Sequence, residues 1–266
     1  MTYSYTQISQ YLACPRKYRY HYLQGWREKA TRARLIFGRV FENAIAAYFR
    51  GEDCAAALFN RWSAVRRADL EFNAGDSWQG MLEQGLWLLQ RFSAEDRVCI
   101  HEPRSNLQVK VLRKLSARDY FVAYIDAIGE LDGTRCVIEW KTTGSRYADQ
   151  PDRLLTLDPQ LVCYSWISGI ADVAMVVFVR KRLPEIQYLH TTISAAQRHE
   201  FGCLVEEAIQ QIEAGHFFPH SGIRFPQNGC LSCPYLGLCL DNAKLIEARL
   251  SRRVGASGRD WPNQLH

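Results

Sequence analysis

Two sets of residues in this 266-residue chain have the types and spacing to do chemistry. The first is Cys14 near the start with Cys230, Cys233 and Cys239 near the end, the last three in a compact C-x2-C-x5-C array. Proline follows both Cys14 and Cys233. Three clustered thiolates need a fourth ligand. Cys14 supplies it if the fold brings the two ends together, giving a four-thiolate site suited to a cubane iron–sulfur cluster or to zinc. Nine cysteines cannot all pair as disulfides, and Met1-Thr2-Tyr3-Ser4 has neither the basic nor the apolar region of an export signal. A reducing, cytoplasmic setting is expected, where clustered cysteines mark metal. Cys54, Cys99, Cys136, Cys163 and Cys203 stand alone among apolar neighbours and read as ordinary core residues.

The second set is acidic. Asp126 interrupts Phe121-Val122-Ala123-Tyr124-Ile125 before Ala127-Ile128, a run that otherwise reads as a buried strand. An unpaired carboxylate there is costly. In the next strand Cys136-Val137-Ile138 leads into Glu139-Trp140-Lys141, and strand alternation puts Glu139 and Lys141 on one face and Trp140 on the other. Carboxylates on neighbouring strands can converge on a divalent cation through hard oxygen ligands, with room for water and a phosphate oxygen. Lys141 would orient or activate that water. Gln160 and Tyr164, one helical turn apart, can face the same site. An isolated E-x-K motif reads equally as a surface pair at a strand end. The combination with Asp126, Gln160 and Tyr164 gives it chemistry.

The elements that must carry these groups follow from periodicity. A first helix through Ile8, Tyr11 and Leu12, capped by Thr6, ends near Cys14. A second runs from about Leu35 to Arg50 with Phe37, Val40, Phe41, Ala44, Ile45 and Tyr48 inward. Helical segments over Ala55 to Leu70 and Trp78 to Phe92 read as an insertion. Strands are expected over Leu107 to Leu115, Tyr120 to Leu131 and Arg135 to Lys141, the last two joined at Asp132-Gly133. A helix near Asp158 to Ser168, strands at Val173 to Val179 and Ile186 to Thr192, and a helix from Ser194 to about Ala214 complete an α/β pattern: a mixed sheet flanked by helices. The tail from Ser251 is expected to be flexible.

A hydrophobic content of 47% is enough for a sizeable core, and no apolar run approaches the length of a membrane span. The net charge of +5 is mild, so its placement matters. Arg16-Lys17-Tyr18-Arg19-Tyr20, the stretch from Arg32 to Arg39, and Arg180-Lys181-Arg182 read either as phosphate-facing patches or as solvated faces. The tyrosines of the first patch suit stacking on single-stranded bases, or core packing. No G-x-x-x-x-G-K phosphate loop occurs, so an ATP motor is not expected in this chain.

Taken in order, Ser4-Tyr5-Thr6, Cys14-Pro15-Arg16-Lys17-Tyr18, Gly38 to Glu42, Asp126, Glu139-Trp140-Lys141, Gln160 to Tyr164, and Cys230, Cys233 and Cys239 make the chain resemble the PD-(D/E)XK nuclease superfamily. The resemblance is to its RecB-like, CRISPR-associated iron–sulfur exonuclease branch. It implies a restriction-endonuclease-like core and Mg or Mn held by Asp126, Glu139 and the Trp140 carbonyl. It also implies a 4Fe-4S cluster on the four cysteines and cleavage of DNA. Glu42 stands where the family usually has a metal-binding histidine, and a carboxylate there suits a hard cation. Tyr124 stands where small residues are common. The expected layout is one nuclease domain over residues 1–250, with the helical insertion near 53–95, the cysteine segment at 230–239 and a tail at 251–266. The expected activity is that of a single-stranded DNA exonuclease, with a helicase or integrase as partner and no membrane. Two other classes fit parts of the sequence: a catalytically idle nucleic-acid-binding subunit, and a zinc-stapled interaction domain, which leaves the buried carboxylates unexplained.

Overall fold

In the computed structural model, which describes residues 1–147, 154–219 and 228–253, β1 (Thr2–Ser4) leads directly into α1 (Tyr5–Ala13). The cap is Ser4 rather than Thr6. Ser4 wins because Gln7 completes a reciprocal capping box, its side chain accepting from the Ser4 N–H at 2.8 Å while Ser4 Oγ accepts from the Gln7 N–H at 3.4 Å. Cys14 ends α1 in an extended conformation, and Pro15 opens α2 (Pro15–Tyr18), which continues into a π-helical turn at Arg19–Leu23. β2 (Trp26–Glu28) follows.

The chain divides into two compact units, Met1–Ala30 with Leu112–Val122 and Gly202–His266, and Thr31–Val111 with Ala123–Phe201. The second carries the sheet. It begins with β3 (Thr31–Arg32) and α3 (Ala33–Phe49). Asp53 caps α4 (Cys54–Ala64) and, after β4 (Leu70–Glu71), Ser77 caps α5 (Trp78–Glu95). α4 stops at Ala64 because Arg66, Arg67 and Asp69 give it nothing apolar to bury, and Leu70 joins β4 instead. β5 (Val98–Cys99), α6 (Pro103–Asn106) and β6 (Leu107–Lys114) lead to the central hairpin, β7 (Tyr120–Leu131) and β8 (Thr134–Thr143). Its turn has φ of 49° at Asp132 and 78° at Gly133, the double positive φ of a type I′ turn.

α7 (Pro159–Ser168) carries the chain to β9 (Asp172–Val179), which pairs parallel with β8. β10 (Glu185–Thr192) then pairs antiparallel with β9, before α8 (Ala195–Glu213). In this unit the strand order is β7-β8-β9-β10, with β5 and β6 also pairing with β7. Val173 to Val179 are fully buried, as expected of an interior strand covered on both faces. One face is sealed by α3 and α5. Trp140 lies among Phe49, Phe92 and Phe178, with ring centroids 6.1, 5.9 and 6.5 Å away. Phe41 meets Phe178 at 4.8 Å. α7, with Leu161, Val162, Cys163, Tyr164, Ser165, Trp166 and Ile167 buried, also contacts β8 and β9.

In the first unit β1 pairs parallel with Tyr120–Val122, the first residues of β7. α9 (Asn228–Leu231), α10 (Leu236–Cys239) and α11 (Ala243–Arg249) lead to β11 (Leu250–Arg252), antiparallel to β2. Ser251 and Arg252, expected in a tail, thus belong to a strand, and residues 254–266 lie outside the described residues. Of the cysteines expected in the core, Cys136 and Cys163 are buried and Cys54 is half-buried, but Cys99 and Cys203 are exposed. In the two-residue β5, Val98 takes the inward position and Cys99 the outward one. Among the described residues no helix is long and apolar enough to cross a membrane.

Candidate active site and cysteine group

The second unit assembles the acidic residues where the central hairpin opens. The β7–β8 register runs from Leu131↔Thr134 to Ala127↔Ile138. Immediately beyond it, Asp126 Oδ2 accepts from the Trp140 N–H at 2.9 Å, so a side chain takes the place of a strand carbonyl. Alternation then puts Trp140 into the aromatic core and presents Glu139 and Lys141 on the opposite face. Lys141 Nζ donates to Glu139 Oε1 and, at 2.8 Å, to Gln160 Oε1. Gln160 Nε2 in turn donates to Tyr164 Oη at 2.8 Å. Four of the five residues predicted to share a site thus form one hydrogen-bonded chain, running from the buried Glu139 to the buried Tyr164 phenol, whose pKa burial pushes up.

Two further residues support the site. Asp158 caps α7 by accepting from the Gln160 and Leu161 N–H groups at 2.9 and 3.0 Å, and its charge also acts on Lys141. The Asp158-Pro159 pair is the sequence signal that could have singled it out. Gln108, on β6, donates from Nε2 to Glu42 Oε1 at 3.4 Å, and no sequence pattern marks it.

Glu42 comes from α3, which approaches β8 closely at Gly38, where a Cβ would stand 3.3 Å from Thr142 Oγ1. The three carboxylates feel one another. Burial first, then the charges of Glu139 and Glu42, raise Asp126 well above the ordinary carboxylate range. Glu42 is raised by burial and by Glu139, against the lowering effects of Gln108, Lys141 and Arg39. Burial would lower Lys141, but Glu139, Asp126 and Asp158 outweigh it and raise its pKa, so it stays an ammonium.

This donor set fits a hard divalent cation. Glu139 Oε2 is buried without a hydrogen-bond partner, and Asp126 and Glu42 are crowded by like charge, both of which a cation would relieve. Among the described residues, no three His, Cys, Asp or Glu side chains stand at metal-ligating spacing.

The first unit contains Cys14, Cys230, Cys233 and Cys239, which do not stand at metal-ligating spacing. Cys230 and Cys233 share one turn, the Cys233 N–H donating to the Cys230 carbonyl at 3.0 Å. Burial raises the Cys233 thiol, and Cys239 and Cys14 add to the effect while Lys17 opposes it, so Cys14 and Cys239 are electrostatic neighbours of Cys233. Cys14, Cys230 and Cys233 are half-buried and Cys239 is exposed. Aromatic residues enclose the neighbourhood. Tyr235 Oη lies 2.7 Å from His21 Nδ1, and Tyr20 Oη donates to the Leu238 carbonyl at 3.3 Å. Tyr18 is not available for base stacking. It is buried against Tyr11, Tyr22 and Phe217, with centroids 5.6, 4.9 and 6.1 Å away. Arg16 and Lys17 are half-buried and Arg19 is exposed.

A helix-flanked mixed sheet with Asp126 on one strand, Glu139-x-Lys141 on its neighbour and a supporting Gln160 and Tyr164 describes a class of phosphodiesterase. The chain belongs to the PD-(D/E)XK nuclease superfamily, whose family model matches residues 2–240. Members of this superfamily typically use Mg or Mn. Among solved structures, a candidate exonuclease from Eubacterium rectale is similar at 11% identity, covering 81% of this chain and 82% of that one, with a TM-score of 0.49. The protein SSO0001 is 16% identical over 91% of this chain and 86% of that one, with a TM-score of 0.39. The alkaline exonuclease LHK-Exo from Laribacter hongkongensis is 15% identical over 68% and 93% respectively, with a TM-score of 0.34. No curated protein shows significant sequence similarity to the chain.

Proposed function

We propose that this chain is a metal-dependent DNA exonuclease acting on single strands, with Asp126, Glu139 and Glu42 as acidic ligands and the Trp140 carbonyl beside them. The observation that carries the reading is the hydrogen-bonded chain Glu139–Lys141–Gln160–Tyr164 next to two carboxyls whose pKa values are raised by mutual repulsion and burial. A bound Mg or Mn supplies Lewis acidity toward the phosphate and makes water a competent nucleophile at neutral pH. Lys141 orients or activates the attacking water and offsets charge developing on the phosphate oxygens. Gln160 accepts from Lys141 and so fixes its direction, while Tyr164 holds the Gln160 amide in the matching orientation. Glu139 has a double task, as acidic ligand and as counter-ion that anchors Lys141.

The proposal extends to a 4Fe-4S cluster on Cys14, Cys230, Cys233 and Cys239, supported by the electrostatic proximity of Cys14, Cys233 and Cys239 and by the turn shared by Cys230 and Cys233. Unwinding would come from a partner such as a helicase, or the chain would act beside an integrase. The test is digestion of linear and circular DNA, single- and double-stranded and labelled at both ends, by anaerobically purified protein in Mn or Mg. Release of mononucleotides from linear single strands is expected, together with loss of cleavage in Lys141→Ala and Asp126→Ala by a hundredfold or more, roughly the loss of several kcal/mol of transition-state stabilisation. Cleavage of circles identifies an endonuclease. Wild-type protein that binds DNA and cleaves none in either metal is an idle binding subunit.

A further inference from the structure

Glu42 has a neighbour that the nuclease reading does not use. Gln108 sits in β6 between the half-buried Leu107 and Val109, an outward position by strand alternation, yet its carboxamide donates to Glu42 Oε1 at 3.4 Å. The backbone shows how. Gln108 has φ of 50°, a left-handed conformation inside a strand, and it is neither glycine nor one of the short polar residues that visit this region routinely. A residue held this way re-aims its side chain, as bulges do beside functional sites, and persists only where its surroundings hold it.

The interaction matters because Glu42 is crowded. Burial and the charge of Glu139 oppose ionisation of its carboxyl, while the donor on β6 restrains one of its oxygens. We propose that Gln108 is a positioning residue for Glu42: its Nε2–H holds Oε1 and leaves the second carboxylate oxygen to serve as a ligand. The inference rests on the reading of Glu42 as an acidic ligand of a nuclease metal site. Glutamine suits the task, since it restrains a carboxylate without adding a charge that would compete with the cation.

The test is Mn binding by the full chain, followed by electron paramagnetic resonance of free Mn, with melting temperature measured alongside. Gln108→Met keeps the length of the side chain and removes the donor. Gln108→Gly removes the donor and relaxes the backbone. Both are expected to bind Mn about tenfold more weakly, the usual effect of removing a partner that orients a ligand. The Mn concentration that gives half-maximal cleavage should rise in step. Gln108→Gly should melt no lower than wild type, which a purely structural role does not predict. In a Glu42→Ala background, adding Gln108→Met should change nothing further, because the effect passes through Glu42. Wild-type affinity in both Gln108 variants, with binding lost in Asp126→Ala, overturns the inference alone. Absence of Mn binding in wild type removes the nuclease reading and the inference together.

Discussion

Replacing Asp126 by asparagine should make the metal-free protein more stable while abolishing cleavage. Asparagine is nearly isosteric and keeps an oxygen to accept from the Trp140 N–H, so the 2.9 Å bond survives. The substitution removes a carboxyl whose ionisation is opposed by burial and by the neighbouring Glu139 and Glu42. The gain is roughly 1–3 kcal/mol, the usual cost of an uncompensated buried polar group. For a chain of this size each kcal/mol corresponds to about 2–4 °C in Tm. The pH dependence follows from the raised pKa. The acid form of Asp126 is the one the fold favours, so its contribution is complete at low pH and is lost as the pH rises through the folded-state pKa. In EDTA, wild type should therefore lose stability with rising pH more steeply than Asp126→Asn. Manganese should reverse the order, raising the Tm of wild type increasingly with pH as protons cease to compete for the ligand, and leaving the variant almost unchanged. Thermal melts with and without Mn over a pH series check all of this. If Asp126→Asn melts below wild type in EDTA, or if Mn stabilises both proteins equally, the crowded-carboxylate explanation fails.

Gly38→Ala places a methyl 3.3 Å from Thr142 Oγ1, so either the Thr142 side chain gives by a few tenths of an ångström or α3 shifts and carries Glu42 with it. Because alanine improves the helix as the packing against Thr142 worsens, stability should stay within about 1 kcal/mol while cleavage falls roughly tenfold, and Thr142→Ala should restore it in the double variant. Cys14→Ser should bleach the visible absorption of anaerobically purified protein and lower its Tm, whereas an unchanged spectrum excludes Cys14 as a cluster ligand. Neutralising Arg16, Lys17 and Arg19 to glutamine should weaken DNA binding and flatten its salt dependence, by about 0.7 in log–log slope for each phosphate of a single strand that the protein no longer neutralises. Fluorescence anisotropy across a salt series that gives parallel slopes for variant and wild type would remove this patch from the DNA path.

What could be read from the sequence was local. Asp126 announced itself by interrupting an apolar run, and Glu139 and Lys141 by strand alternation, because period-2 patterning already fixes which side chains share a face. The Asp132-Gly133 turn set the hairpin register that brings Asp126 beside Trp140. Gln160 and Tyr164 are one helical turn apart, so their common direction needed only the helix. The partners at long sequence separation were not legible. Gln108 reaches Glu42 through a left-handed backbone that nothing in Asn106-Leu107-Gln108-Val109 signals. Tyr18 sits in a basic stretch that resembles a stacking platform, but Tyr11, Tyr22 and Phe217 bury it. Local competition explains the misplaced boundaries. Thr6 and Ser4 are both competent caps, and only Ser4 has a glutamine three residues on.

Helices α4 and α5 hold a spectroscopic reporter that is separate from the chemistry. Trp62 and Trp78 each donate an indole N–H to the other's backbone carbonyl, at 3.0 and 3.2 Å, and their rings lie nearly parallel with centroids 6.2 Å apart. Two indoles at that separation couple their electronic transitions, so the pair should give a signed couplet in circular dichroism that neither tryptophan gives alone. The couplet depends on α4 staying docked on the start of α5. It therefore reads the integrity of these helices in any active-site variant, without a substrate and without a metal, and Trp62→Phe should erase it.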